Sequence, residues 1–245
     1  MQRRQSSPKI TARDAPLAEP FRPCPALPYY DASMARVLYL HGFASSPASR
    51  KAQLFRKRFA EAGVELEIPY LEEGSFRNLT ISGQLRVIER TLGGEPAHLI
   101  GSSMGGYLAA LYAARHPEVR RLVLMAPAFG FARRWAAALG EKGLAEWREA
   151  GTLDVYHYAA GGPTPLGWGL MEDALRYEDE PRVEQPALVW HGLQDGVVPV
   201  VASRSFVAHN KLARIVEAQS NHELTDVAER IAEDAVRFLL EGGNA

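Results

Sequence analysis

The stretch His98-Leu99-Ile100-Gly101-Ser102-Ser103-Met104-Gly105-Gly106 passes from an apolar, strand-like triplet straight into a helical pattern that begins at Met104. Within it, Gly101-Ser102-Ser103-Met104-Gly105 reads G-x-S-x-G, the sequence of a sharp strand-to-helix turn that lifts a serine above the carboxyl edge of a sheet. Glycines two residues either side of that serine let strand and helix approach without side-chain collision. Only Ser103 fits the frame, because Ser102 would be flanked by Ile100 and Met104. Ser103 is therefore the candidate nucleophile.

Outward from this turn, short β-rich runs alternate with helix-patterned stretches. The runs are Val37 to Leu40, Leu66 to Ile68, His98 to Ile100, Leu122 to Met125, Leu188 to Trp190 and Ile215 to Val216. Between them, Arg50 to Ala62, Thr80 to Leu92, Met104 to Arg115 and Glu223 to Leu240 space apolar residues at three and four, so each predicts a helix with a core-facing stripe. Such alternation specifies an α/β fold: a mostly parallel sheet with helices on both faces. The 58 residues from Phe129 to Pro186 break the pattern and are too many for a structureless loop, so 129–186 predicts a helical cap inserted before the strand that carries the acid loop. Helix-like pieces stand at Trp135 to Leu139 and Leu144 to Glu149. The insertion holds eight of the chain's 22 aromatics, which either line an apolar acyl pocket or form the cap's own small core.

A serine hydroxyl needs a base to take its proton and an acid to orient that base, expected in the chain order serine, carboxylate, histidine. His222 follows the last predicted strand in the turn Gln219-Ser220-Asn221-His222, where a base can reach Ser103. By contrast, His191 precedes any suitable loop acid, and His209 ends a helical stretch. For the acid, Asp195 sits on the turn after Trp190-His191-Gly192, placed to hold one imidazole nitrogen of His222. Glu178, Asp179 and Glu180 read instead as a solvated face. Two backbone donors must meet the developing oxyanion. Met104 offers one at the start of its helix, and Phe43, after Gly42 in Leu38-Tyr39-Leu40-His41-Gly42-Phe43, offers the other. His41, Gly42, Phe129, Trp135, Trp168 and Val198 complete the list as candidate substrate contacts.

Composition limits what else the chain could be. With 245 residues, 47% hydrophobic, 23% charged and a net charge of -1, it reads as a globular protein without the basic surface that nucleic acid or an anionic membrane demands. A single cysteine, Cys24, excludes an internal disulfide and a multi-cysteine zinc site. Neither metal nor organic cofactor is expected. Residues 1–33 carry six of the 16 prolines and no apolar periodicity, which predicts a disordered or loosely packed extension before a domain at 34–245. No secretory or membrane-spanning run stands in the sequence, so a cytoplasmic location is expected, with Arg3, Arg4, Lys9 and Arg13 giving only a faint organellar-targeting character.

His41-Gly42, Gly101 to Gly105, His191-Gly192-x-x-Asp195-x-x-Val198-Pro199 and Asn221-His222 stand in the order and spacing of the α/β-hydrolase superfamily, which the chain resembles from about Arg36 to Leu240. More narrowly, Leu38 to Pro47 is similar to small bacterial esterases that open L-Y-L-H-G-F-x-S-S-P. The insertion and the closing Ser220-x-His222 resemble the abhydrolase-domain family of mitochondrial acyl-protein thioesterases and acyl-glucuronide esterases. The resemblance implies a carboxylesterase or thioesterase acting on a small-molecule ester or thioester through an acyl-serine. Alternatives on the same fold are a carbon–carbon bond hydrolase, a haloperoxidase-like enzyme and a non-catalytic ligand-binding homologue. The chain departs from the family in lacking clear leading antiparallel strands.

Overall fold

A computed structural model of the chain describes residues 36–240. The expectation for residues 1–33, and Cys24 with it, lies outside them. Six strands form one sheet: β1 (Arg36–Leu40), β2 (Leu66–Glu67), β3 (Ala97–Ser102), β4 (Val119–Met125), β7 (Ala187–Gly192) and β8 (Ala213–Ala218). Their order is β2-β1-β3-β4-β7-β8, and every pairing is parallel. Strands β3 and β7 are buried along their whole length, which is why they read as continuous apolar runs rather than alternating ones.

Helices cover both faces. Helices α1 (Arg50–Glu61) and α7 (Ala228–Leu240) pack with Val37, Tyr39, Ile100, Val123 and Trp190 on one side. On the other, α2 (Ile81–Leu92), α3 (Met104–Ala113) and α6 (Val200–His209) close over Leu38, Leu99, Leu122 and Val189. Local chemistry sets the helix ends: Ser49 Oγ caps α1 through the Ala52 amide at 3.4 Å, Thr80 Oγ1 caps α2 through Gly83 at 2.9 Å, and Gly93 ends α2 in the left-handed region. Helix α7 starts later than its apolar pattern, because Leu224 turns out of the helix at φ 52°.

Between β4 and β7 lie α4 (Phe131–Ala150), β5 (Thr152–His157), β6 (Gly162–Gly167) and α5 (Gly169–Ala174). The two helical pieces expected here are the halves of α4, which kinks at Gly140 with φ 66° and ψ 174°. The hairpin of β5 and β6 was not legible in the sequence, since Pro163 and Pro165 argue against a strand. They are tolerated because this sheet has only two strands, so a proline nitrogen can face an edge where no third strand seeks a donor. Among the described residues no helix is long and apolar enough to cross a membrane.

Candidate active site

Strand β3 delivers Ser103 to the carboxyl edge of the sheet. The backbone there is strained, with φ 52° and ψ -114° at a residue that has a Cβ. Three bonds hold it: the Ser103 amide donates to Met125 O at 2.8 Å, and its carbonyl accepts from Ala128 at 3.0 Å and Tyr107 at 3.1 Å. Close packing explains the two flanking glycines. A Cβ at Gly105 would stand 2.0 Å from Leu40 O, and one at Gly101 would stand 2.3 Å from Gly105 O.

Loops after β7 and β8 bring the other two predicted residues to the serine. His222 Nε2 lies 3.0 Å from Ser103 Oγ, and His222 Nδ1 lies 2.7 Å from Asp195 Oδ2. The Asp195 side chain is fully buried. Its Oδ1 accepts the amides of Val197 at 2.8 Å and Val198 at 2.7 Å, and His191 Nε2 stands 3.1 Å from Oδ2. Burial alone would push this carboxyl up, but the hydrogen bonds of His191, His222 and Val198 together hold it well below the usual carboxylate range. An ionised Asp195 fixes the proton of neutral His222 on Nδ1 and leaves Nε2 to accept from the serine.

Gly42 runs beside the serine, where a Cβ would stand 3.6 Å from Ser103 Cβ, and carries Phe43 with it. Among the described residues neither the Phe43 amide nor the Met104 amide has a protein acceptor. Both are free to serve an oxyanion. His41 is buried, with Nδ1 3.0 Å from Gly42 O, and burial pushes its pKa down from the ordinary value. It therefore stands as a neutral prop for the loop.

The remaining substrate candidates separate by position. Trp135 meets the Phe43 ring edge-on at 5.4 Å. Trp135 then packs on Trp147 at 5.5 Å and Trp147 on Trp168 at 5.3 Å, a chain of rings in which Trp147 is core and Trp168 lies behind it. Phe129 stacks on Phe206 at 4.6 Å and is buried, as is the Val198 side chain. Both are packing residues in this structure, and Val198 meets the site through its amide.

Two contributors escaped sequence reasoning. His191, set aside as a base, is fully buried and braces the acid: Nε2 also reaches Val198 O at 2.8 Å while Nδ1 meets Ser203 Oγ at 2.7 Å. Its place at a strand end four residues before Asp195 was the available signal. Lys51 donates to Ser102 Oγ at 3.1 Å behind the turn, its pKa pushed down by burial against the opposing charge of Glu223. No metal-holding group of His, Cys, Asp or Glu occurs among the described residues.

Residues 36–239 match the family described as "Uncharacterised protein family (UPF0227)". Among curated proteins, monoacylglycerol lipase abhd6-B of Xenopus laevis is 29% identical over 217 residues, covering 80% of this chain and 57% of that protein. Monoacylglycerol lipase ABHD6 of Bos taurus is 35% identical over 104 residues, 38% of this chain and 30% of the relative. The chain thus spans little more than half the length of the first of these and less of the second. Among solved structures, mouse alpha/beta hydrolase domain-containing protein 10 superposes with a TM-score of 0.73 at 18% identity, over 86% of this chain and 91% of that one. Est1E from Butyrivibrio proteoclasticus, solved with ferulic acid bound, gives 0.72 at 20% identity over 86% and 90%. The fold is the α/β-hydrolase fold.

Proposed function

The chain belongs to the family described as Uncharacterised protein family (UPF0227), and from that premise we propose that it is a serine hydrolase that cleaves carboxylic ester or thioester bonds of small acyl substrates. The observation that carries the reading is the unbroken relay Ser103 Oγ, His222 Nε2, His222 Nδ1, Asp195 Oδ2, at 3.0 and 2.7 Å, beside two unengaged amides. Ser103 attacks the acyl carbonyl and its proton passes to His222 Nε2, while Asp195 steadies the imidazolium. The carbonyl oxygen, now negative, takes the amides of Phe43 and Met104. His222 returns the proton to the departing alcohol or thiol, leaving an acyl-serine, and water activated by the same nitrogen releases the acid. Segment 129–186 acts as the cap, and Phe43 with Trp135 forms the apolar wall against the acyl chain. The lipase relatives bring acylglycerols into the range of substrates worth testing.

Two measurements test this reading. A fluorophosphonate probe should label the wild-type protein and leave Ser103→Ala unlabelled. In turnover, p-nitrophenyl esters from acetate to palmitate, an acyl-thioester and a monoacylglycerol should give at least one substrate that Ser103→Ala does not cleave. Equal labelling of the two proteins would remove Ser103 from the nucleophile's role.

A further inference from the structure

Several contacts far from the relay converge on the loop that carries the Phe43 amide. The tip of the β5–β6 hairpin donates the Tyr158 amide to the Ala44 carbonyl at 2.9 Å. Beside it, His157 Nε2 lies 2.7 Å from Glu72 Oε1, with the His157 side chain only 8% exposed. The Ala160 amide donates to His157 Nδ1 at 3.1 Å, so the ring's own proton sits on Nε2 and points at Glu72. This ring stands edge-on to Phe76 at 4.6 Å, and Phe76 packs on Phe43 at 5.4 Å.

Ala44 holds a φ of 53°, a left-handed conformation that an alanine keeps only where its surroundings impose it. The residue directly after Phe43 is thus held in an unfavourable shape, and its carbonyl is bound by the hairpin. An oxyanion donor works only within hydrogen-bond reach of the developing charge, and a misplacement of about 1 Å can cost on the order of a hundredfold.

The geometry points to His157 as a positioning residue: with Glu72 it clips the hairpin tip onto the oxyanion loop and, through the Tyr158–Ala44 bond, aims the Phe43 amide at the tetrahedral oxyanion. This rests on the serine-hydrolase reading above. The hairpin is then a working part of the oxyanion hole besides being a cover. His157 itself makes and breaks no covalent bond.

The test combines turnover of p-nitrophenyl butyrate with inhibition by an alkyl trifluoromethyl ketone, whose adduct with Ser103 carries the oxyanion. For His157→Ala, kcat should fall about tenfold to a hundredfold with KM held within about twofold, and the inhibition constant should rise by a similar factor. Glu72→Ala, which removes the other partner of the same contact, should behave alike. His157→Gln keeps an N–H donor toward Glu72 and should recover most of the loss. Melting curves verify that each variant is folded. Unchanged kcat and inhibition in both His157→Ala and Glu72→Ala overturn the assignment, and so does a rise in KM alone, which would make the hairpin a substrate wall. Failure of the wild type to react with a fluorophosphonate sinks the serine-hydrolase reading itself, whereas wild-type labelling with unchanged variants sinks only the role of His157.

Discussion

Ser103, Asp195 and His222 stand at the carboxyl ends of β3, β7 and β8, strands of one buried parallel sheet, whereas the Phe43 amide rides on a loop braced by a two-stranded hairpin from much later in the chain. The first group inherits its precision from a core that cannot shift without breaking ladder bonds and close packing. The second depends on a few side-chain and turn contacts, among them His157 with Glu72 and Tyr158 with Ala44. The Ser103–His222–Asp195 geometry and the Phe43 amide therefore differ in what braces them, and damage to each is expected to look different: loss of chemistry outright on the sheet side, loss of transition-state stabilisation without loss of binding on the hairpin side.

The largest effects should come from the sheet side. Ser103→Ala and His222→Ala are each expected to lower kcat on the order of a millionfold, and the double variant should be scarcely worse, since the pair acts as a unit. Steady-state turnover of the best ester in the panel measures this. If the double variant multiplies the two losses instead, the two residues do not share a proton and the relay reading fails. Asp195→Asn comes next, at roughly ten-thousandfold, because an amide at that place favours the wrong imidazole tautomer while leaving the packing intact.

Smaller effects should come from the acid's brace and from the aromatic wall. Replacing His191 by Phe removes one donor from Asp195 and leaves Ser203 and the Val198 carbonyl without their partner, so kcat should fall about tenfold and the melting temperature should drop by several degrees. A fall in kcat as deep as that of Asp195→Asn would mean that His191 takes part in the relay itself. Trp135→Ala opens space beside Phe43 and should shift the preferred acyl length upward by a few carbons, at most about tenfold in kcat/KM. The ester panel reads this directly. An unchanged length profile would assign Trp135 to the cap's own core with Trp147 and Trp168.

The same contrast governs what the sequence disclosed. Each residue of the proposed relay has a local pattern: glycines forced by the approach of Gly105 to Leu40, a turn acid beside Gly196, a histidine in the turn after the last strand. Six apolar runs marked the six strands, though β2 pairs over Leu66 and Glu67 alone, because an apolar run does not say where a neighbouring strand ends. The hairpin side was hidden. Alternating prolines in β6 masked a strand, and the contacts of His157 and Glu72 join residues 85 positions apart with no periodicity to link them. Aromatic residues could be counted, but only packing separates Trp135 against Phe43 from Phe129 against Phe206.

The smallest expected effect concerns acid stability and probes the sheet side alone. Asp195 has its folded-state pKa depressed by hydrogen bonds from His191, His222 and Val198, so the stability it contributes is fully present above the unfolded carboxyl value of about 4 and is lost as pH falls toward the folded value. Asp195→Asn has no such proton to take up. Its melting temperature should lie below that of the wild type at pH 7, and the gap should narrow by a few degrees, about 2–4 °C for each kcal/mol in a domain of this size, as pH falls from about 5 to about 3. Calorimetry of the two proteins across that range measures the gap. A gap that stays constant would mean that the carboxylate is not specially stabilised in the folded state, and the hydrogen bonds to it would then be ordinary turn contacts.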